Sequence, residues 1–325
     1  MKKLVLIDGH AIIHRAFHAL PPLTTREGQP VNAVYGFATM ILKVIETMQP
    51  THIAVAFDLP TPTFRHETYV AYQSKRPRLD DDLRSQIPLV NDLVRAAGIA
   101  QYSRAGFEAD DVLGTLAKEA VEQKFDEVVI VTGDRDILQL VNKNVKVFMP
   151  TKGLSEGRIL DEAGVLEYLG VRPDQIIEYK ALVGDPSDNY PGVTGIGPKT
   201  AIGLIEEFGT VENVYKNTQH TANAATQAHN TGKIPERVRQ KLIDGREGAE
   251  ISHKLATIVC DVDIKADFEK MKVEDISKRK EFLAKLKEFN FRSLYRRMTG
   301  EDLDTAVNKT KEKKPDSEQM GLLDN

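Results

Sequence analysis

The chain has 325 residues, 41% of them hydrophobic, enough for one large or two ordinary domains with a substantial core, which excludes disorder as its main state. Its 44 Lys and Arg against 48 Asp and Glu give a net charge of −4, which argues against a chain that binds nucleic acid through overall positive charge. The single cysteine, Cys260, excludes an internal disulfide framework, and without a signal-peptide pattern or an apolar stretch of about 18 residues a reducing, cytoplasmic setting is expected.

Three short apolar runs come first: Leu4 to Ile7 before Asp8, Ile53 to Phe57 before Asp58, and Val128 to Val131 before Thr132-Gly133-Asp134. Uninterrupted runs of this length predict strands covered on both faces, as in a parallel sheet. Helical patterns lie between them, at Val34 to Met48, Asp81 to Ala97 and Asp110 to Gln123, giving the alternation of an α/β fold. Past about residue 160 the strand signal fades. Helices are predicted at Glu162 to Leu169, Asp174 to Val183, Lys199 to Phe208, Pro235 to Ile243 and Lys278 to Phe289. The expected organisation is therefore an α/β core over residues 1–160, a helical subdomain over 161–300 and a charged tail over 301–325, with the polar stretch Asn217 to Lys233 as an exposed loop.

In an open parallel sheet the functional crevice lies beyond the carboxyl ends of the strands. Asp8, Asp58 and Asp134 each follow such a strand, and Asp136 lies just beyond Asp134. Glu108, Asp110 and Asp111 open a helix, and Asp185 and Asp188 stand in Gly184-Asp185-Pro186-Ser187-Asp188-Asn189. Any one of these has an ordinary role as a turn or helix-start residue. Together they form an all-oxygen set whose mutual repulsion calls for hard divalent cations such as Mg²⁺. Two such ions about 3.5–4 Å apart suit phosphodiester hydrolysis. The eight histidines are scattered, and His10, His14 and His18 read as one helix face, so a zinc site is disfavoured.

Two further features point to nucleic acid. Pro191 to Ala201 carries Gly192, Gly195 and Gly197 in a tight turn that opens a helix, with Lys199 and Thr200 beside it; such a backbone hairpin accommodates phosphate. The segment Phe64-Arg65 through Tyr72-Gln73-Ser74-Lys75-Arg76-Pro77-Arg78 interleaves cations with an aromatic, a pattern suited to phosphate charge and base stacking.

These pieces, in this order, resemble the 5′-nuclease domain of bacterial DNA polymerase I and, more distantly, the phage and eukaryotic flap endonucleases. The resemblance covers Ile7-Asp8-Gly9, Ala56-Phe57-Asp58, Phe64-Arg65, Glu108 to Asp111, Thr132 to Asp136, Gly184 to Asn189 with the glycine hairpin, and Leu255 to Ile258, or roughly residues 1–298. No polymerase domain follows, so a stand-alone nuclease or a fragment is expected. The resemblance implies a PIN-like nuclease core, a helix-hairpin-helix-type DNA clamp at 191–201 and an arch at about 60–104 that admits the 5′ strand. It further implies that Asp8, Asp58, Glu108 and Asp110 surround one Mg²⁺ (or Mn²⁺), with Asp111, Asp134, Asp136, Asp185 and Asp188 mainly serving a second. Arg65, Arg78, Gly195, Gly197, Lys199 and Thr200 would contact DNA, and Gly192, Val193, Gly195 and Ile196 would hold K⁺. Where the family commonly has Tyr-Lys-x-x-Arg in the arch, this chain has Gln73 at the lysine position. Tyr72 and Arg76 match, and Lys75 or Arg76 is expected to supply the missing cation.

The tail carries Gln319-Met320-Gly321-Leu322-Leu323, similar to the short peptide with which bacterial replication proteins dock on the sliding clamp; Gln319, Leu322 and Leu323 are its anchor positions. The expected function is a structure-specific 5′ nuclease acting on DNA flaps, 5′ ends and RNA–DNA primer junctions. A PIN-like ribonuclease and a non-catalytic junction binder are the rivals. With the nine acids set aside, 44 basic residues face 39 acidic ones, and residues 233–300 carry 17 Lys and Arg against 12 Asp and Glu. The negative total thus conceals a basic remainder fit for duplex phosphate.

Overall fold

The computed structural model describes residues 1–151, 156–219 and 234–303. Six strands form one sheet in the order β3-β2-β1-β4-β5-β6: β1 (Lys3–Asp8), β2 (His52–Ala56), β3 (Ala100–Tyr102), β4 (Glu127–Val131), β5 (Val145–Pro150) and β6 (Gly157–Leu160). All pairings are parallel except that of β6 with β5.

Both faces of the sheet are covered, which explains why the central strands read as continuous apolar runs. Val5, Ile7, Ile53, Val55, Val129 and Val131 point into one core with residues of α1 (Gly9–Ala19), α2 (Asn32–Met48) and α4 (Asp81–Ala96). Leu4, Leu6, Ala54, Ala56, Val128 and Ile130 point into the other, against α5 (Ala109–Glu122). The chain steps from β1 to β2 on one side and returns to β4 on the other. The order therefore reverses at β1, and a crevice opens past the ends of β1, β2 and β4.

Three strands were absent from the sequence reading. β3 has only three half-buried residues, too few for a pattern. β5 alternates buried and half-buried positions in a short run, and three of the four β6 residues are exposed.

The helical half begins with α6 (Glu162–Leu169), which is capped by Asp161 and stopped by Gly170 at φ 77°. A glycine meets no Cβ penalty there. Next come α7 (Ile176–Val183), α8 (Pro198–Phe208), α9 (Val211–Gln219), α10 (Glu236–Asp244) and α11 (Arg246–Ala256). Residues of α7 to α11 enclose a third core around Leu182, Val193, Ile196, Leu204, Ile205 and Leu242.

Three expectations need correction. Of the arch range 60–104, α4 packs in the first core through Leu83, Val90, Leu93 and Val94, and β3 belongs to the sheet. The part before Leu79, including the short α3 (Phe64–Thr68), lies outside these core layers. Residues 161–300 are not one subdomain, since Phe282, Leu286, Phe289, Phe291, Leu294 and Tyr295 of the segment holding α12 (Lys280–Glu288) and α13 (Arg292–Thr299) pack into the sheet's first core. Asn217 to Gln219, expected in a loop, close α9; the rest of that loop to Lys233 lies outside the described residues, as do Gln319, Leu322 and Leu323.

Candidate active site

Local rules bring the acids to the crevice. Asp8 ends β1 and caps α1, its Oδ1 accepting the Ala11 amide at 3.0 Å and its Oδ2 the Thr132 hydroxyl at 2.7 Å. Asp58 follows β2 and accepts the Ala109 amide at 2.8 Å, while its own amide donates to His10 Nδ1 at 3.1 Å. Glu108 caps α5 in a reciprocal box with Asp111. Asp134 is held by Thr132, whose Oγ1 accepts its amide at 2.9 Å, and in turn accepts the Asp136 amide at 2.8 Å.

The sheet-edge acids repel one another. Burial, then Asp134, Asp8, Asp58 and Glu108 in that order, pushes the Asp110 carboxyl well above the usual range. Burial raises Asp8 to about 7, with Asp58 and Asp134 adding to it. Burial also raises Glu108 to about 7, against the pull of Arg65. Among the described residues no three His, Cys, Asp or Glu side chains form a ready-made metal cage. What is present is a set of hard oxygen donors whose charge is suppressed by burial and mutual repulsion, an environment that favours a divalent cation.

The second group differs. The Lys180 ammonium sits between Asp136, at contact, and Asp185, at 2.7 Å. Despite burial, Asp136 holds Lys180 well above the ordinary lysine range. Against burial, Lys180 and Ser187 lower Asp185 to about 2. Asp188 pairs with Arg76 at 2.5 Å. The Tyr72 hydroxyl lies 3.3 Å from both Glu108 and Asp188; burial, then those two carboxylates, keeps it protonated.

Two assignments do not survive. Asp111 is 0% exposed and its two oxygens are taken by Arg65 at 2.7 and 2.9 Å, the Glu108 amide at 3.0 Å and the Val259 amide at 2.9 Å. It is a structural anchor with no oxygen left for a metal. Arg65, expected on DNA, is 2% exposed and completes its donors on the Leu255 and Thr257 carbonyls at 2.9 Å. The pair ties α3 to α5 and to the residues ending α11. Breaking such a buried pair costs about 3–5 kcal/mol.

In the glycine hairpin, Gly192 has φ 60° and Gly195 φ 81°. A Cβ on Gly192 would meet the Gly184 nitrogen at 2.3 Å, so the close backbone approach requires glycine. Gly195, Gly197 and Lys199 are exposed and Thr200 half-buried, at the start of α8. Of Gly192, Val193, Gly195 and Ile196, expected to hold K⁺, two carbonyls accept a donor of this chain. Gly192, Val193 and Ile196 are buried, the Val193 carbonyl accepts the Ile196 amide at 3.0 Å, and the Gly195 carbonyl accepts the Lys241 ammonium at 2.7 Å. The hairpin is served by a cation of its own chain.

The sequence reading missed Lys180, Thr132, His10 and Lys241. Lys180 had a signal: it is a lone cation among the apolar residues of Ile176–Val183, five positions before Asp185. The others are recognisable only once the chain is folded. Arg78 is exposed, as is Lys75, which makes no ion pair with the acids among the described residues.

No helix among the described residues is long and apolar enough to cross a membrane. Residues 3–170 match the family model of the 5′-3′ exonuclease N-terminal resolvase-like domain, and residues 171–279 that of its C-terminal SAM fold. The 5′-3′ exonuclease of Aquifex aeolicus is 38% identical over 296 residues, 90% of this chain and 94% of that one. DNA polymerase I of Bacillus caldotenax is 39% identical over 297 residues, 91% of this chain but 32% of the polymerase, so the chain spans about a third of that relative's length. Among solved structures, T5 5′-exonuclease with bound zinc has a TM-score of 0.63 at 22% identity, covering 79% of this chain and 90% of that one. The catalytic core of Rad2 with DNA substrate has 0.58 at 19%, covering 94% and 91%; both likenesses concern the fold. With a resolvase-like α/β core followed by a helical SAM-fold half, and with similarity to the Aquifex aeolicus exonuclease over nine-tenths of both chains, the chain belongs to the 5′-3′ exonuclease family.

Proposed function

We propose that this chain uses divalent metal ions to hydrolyse DNA phosphodiesters at 5′ flaps and 5′ ends, including RNA–DNA primer junctions, in cytoplasmic replication and repair. The observation that carries the reading is the meeting of Asp8, Asp58, Asp110 and Asp134 past the sheet's carboxyl edge, next to Glu108, which with Asp188 contacts Tyr72, while Asp188 pairs with Arg76. Asp8, Asp58, Glu108 and Asp110 would hold one ion, and Asp134, Asp136, Asp185 and Asp188 the other. An all-oxygen set suits Mg²⁺, with Mn²⁺ able to replace it. Bound there, the ions would supply a nucleophilic hydroxide and counter-charge for the phosphate.

The chain's own residues supply the rest. Arg76, with a half-exposed side chain, can exchange Asp188 for a phosphate oxygen. Tyr72, kept protonated, donates its hydroxyl proton within the site. Lys75 and Arg78 are exposed on the same strap and reach the 5′ strand. Gly195, Gly197, Lys199 and Thr200 grip the duplex backbone, and their fixed separation from the acids sets the cut. Gln319, Leu322 and Leu323 would dock on the sliding clamp, raising the local concentration of enzyme at its substrate; removing residues 319–323 then weakens clamp binding and leaves clamp-free cleavage unchanged.

The test is a labelled 5′-flap duplex incubated with Mg²⁺, with EDTA, and with the Asp134→Ala variant. Cutting is expected only for wild type with Mg²⁺. Binding without Mg²⁺-dependent cutting would overturn the assignment, and faster cutting of an RNA flap would transfer it to a ribonuclease.

A further inference from the structure

The strap that carries Tyr72 and Arg76 has no regular structure after α3; residues 70–75 are successive turns. Its internal bonds run from the Tyr72 amide to Tyr69, from Ser74 to Ala71 and from Arg76 to Gln73, at 2.9–3.1 Å. Such bonds shape the strap and do not fix its height over the acids. That is set by a clip to the turn between Asp185 and Tyr190. Asn189 Nδ2 donates to the Ala71 carbonyl at 2.7 Å and to Ser74 Oγ at 3.0 Å, and the Gln73 amide donates to the Asp188 carbonyl at 2.8 Å. Both turns adopt the left-handed conformation at the clip, with φ 57° at Asn189 and 54° at Gln73. Beneath them Tyr72 packs with Tyr190, Leu255 and Ala256.

We propose that Asn189 is a positioning residue of the nuclease site: its side-chain amide fixes the strap so that Tyr72 and Arg76 stand over Asp188. The inference rests on the reading that Tyr72, Arg76 and Asp188 act at the scissile phosphate. Asn189 suits the task on two counts, since asparagine tolerates a positive φ and presents two N–H donors. Glycine keeps the backbone conformation and lacks the donors. Aspartate tolerates the conformation but turns an acceptor toward the Ala71 carbonyl. Loss of the clip costs little binding, because the duplex is gripped elsewhere. It costs rate, because a misplacement of about 1 Å at reacting groups lowers turnover by up to about 10²-fold.

The experiment uses the full chain, a 5′-flap duplex and Mg²⁺, with single-turnover rates at saturating enzyme and flap-duplex affinity measured in EDTA. Asn189→Gly is expected to lower the rate roughly tenfold and to change affinity by less than about twofold, and Asn189→Asp to lower the rate further. A rate for Asn189→Gly within about twofold of wild type overturns the proposal. Amide exchange in wild type decides the matter should the variants not fold: the Gln73 amide is expected to be protected, and exchange as fast as a free loop amide overturns the clip. If wild type itself does not cut the flap, the functional reading fails instead, and Gln73 protection still reports on the clip.

Discussion

The two sides of the crevice solve the same electrostatic problem in opposite ways. At the sheet edge, Asp8 and Asp110 crowd together with no lysine or arginine paired to them among the described residues, and burial drives their carboxyls up. On the helical side, Asp185 and Asp188 are held by Lys180 and Arg76, and Asp185 is pulled down to about 2. Asp136 stands between, pushed up by burial and Asp134 and pulled down by Lys180. On the proposed reading, one side draws its cations from solution, while the other carries cations that it shares with or yields to the substrate. Removing an acid should have opposite structural consequences on the two sides.

The largest effect is on activity. Asp8→Asn keeps the helix cap but removes a charge from the metal-dependent side, and is expected to lower flap cleavage about a thousandfold or more, as loss of several kcal/mol of charge stabilisation implies. Cleavage within about tenfold of wild type would show that the sheet edge is not where the ions act. Next comes the anchor shared by both sides. Arg65→Gln strands Asp111 without its partner and is expected to lower unfolding free energy by about 3–5 kcal/mol in a urea titration. A neutral result would return Asp111 to the metal ligands.

The sharpest contrast is between two neutralised acids in EDTA. Asp8→Asn relieves repulsion and should raise the melting temperature, whereas Asp185→Asn deprives Lys180 of a charged partner and should lower stability by about 1–3 kcal/mol. Equal signs would erase the distinction. The pH dependence carries the same information. Asp8 binds its proton up to about pH 7 in the fold but only to its ordinary value, 3.8, when unfolded. Between those values the native state holds more protons, so stability contributed here falls as pH rises. The advantage of Asp8→Asn over wild type in EDTA should thus grow from pH 4 to about 7 and then level off. Mg²⁺ should reverse it, because only wild type binds the ion tightly. Asp185, lowered to about 2, contributes stability that is present above its ordinary value and is lost as pH falls toward 2.

The sheet edge was the more legible side. Buried strands leave a continuous apolar run, and an acid just past each run marks its carboxyl end, so Asp8, Asp58 and Asp134 were identifiable together without coordinates. The edge strands were not, because three half-buried residues such as Ala100–Tyr102 carry no period. The motif also named Asp111 and Arg65 as functional when they serve each other, since an acidic pattern does not distinguish an oxygen facing a crevice from one facing a guanidinium. The roles of Asn189 and Lys241 were not legible for a related reason: each acts on a partner defined by tertiary contact, such as Asn189 on Ala71, which lies 118 positions away.

The smallest expected effect concerns the hairpin, where the contrast between borrowed and built-in cations recurs. Lys241 extends from α10 to the Gly195 carbonyl at 2.7 Å, beside the exposed start of α8, where the helix dipole favours a phosphate. A lysine fixed there offers the duplex a positive charge without recruiting an ion. Exchanging K⁺ for Na⁺ at constant ionic strength should therefore leave flap-duplex affinity unchanged in the wild type. Lys241→Ala should weaken it by about 0.5–1.5 kcal/mol, the scale of one hydrogen-bonded contact, and should lower the salt slope by about one unit. If wild-type affinity instead depends on K⁺ and Lys241→Ala does not alter that dependence, the hairpin belongs with the sheet edge, as a site that draws its cation from solution.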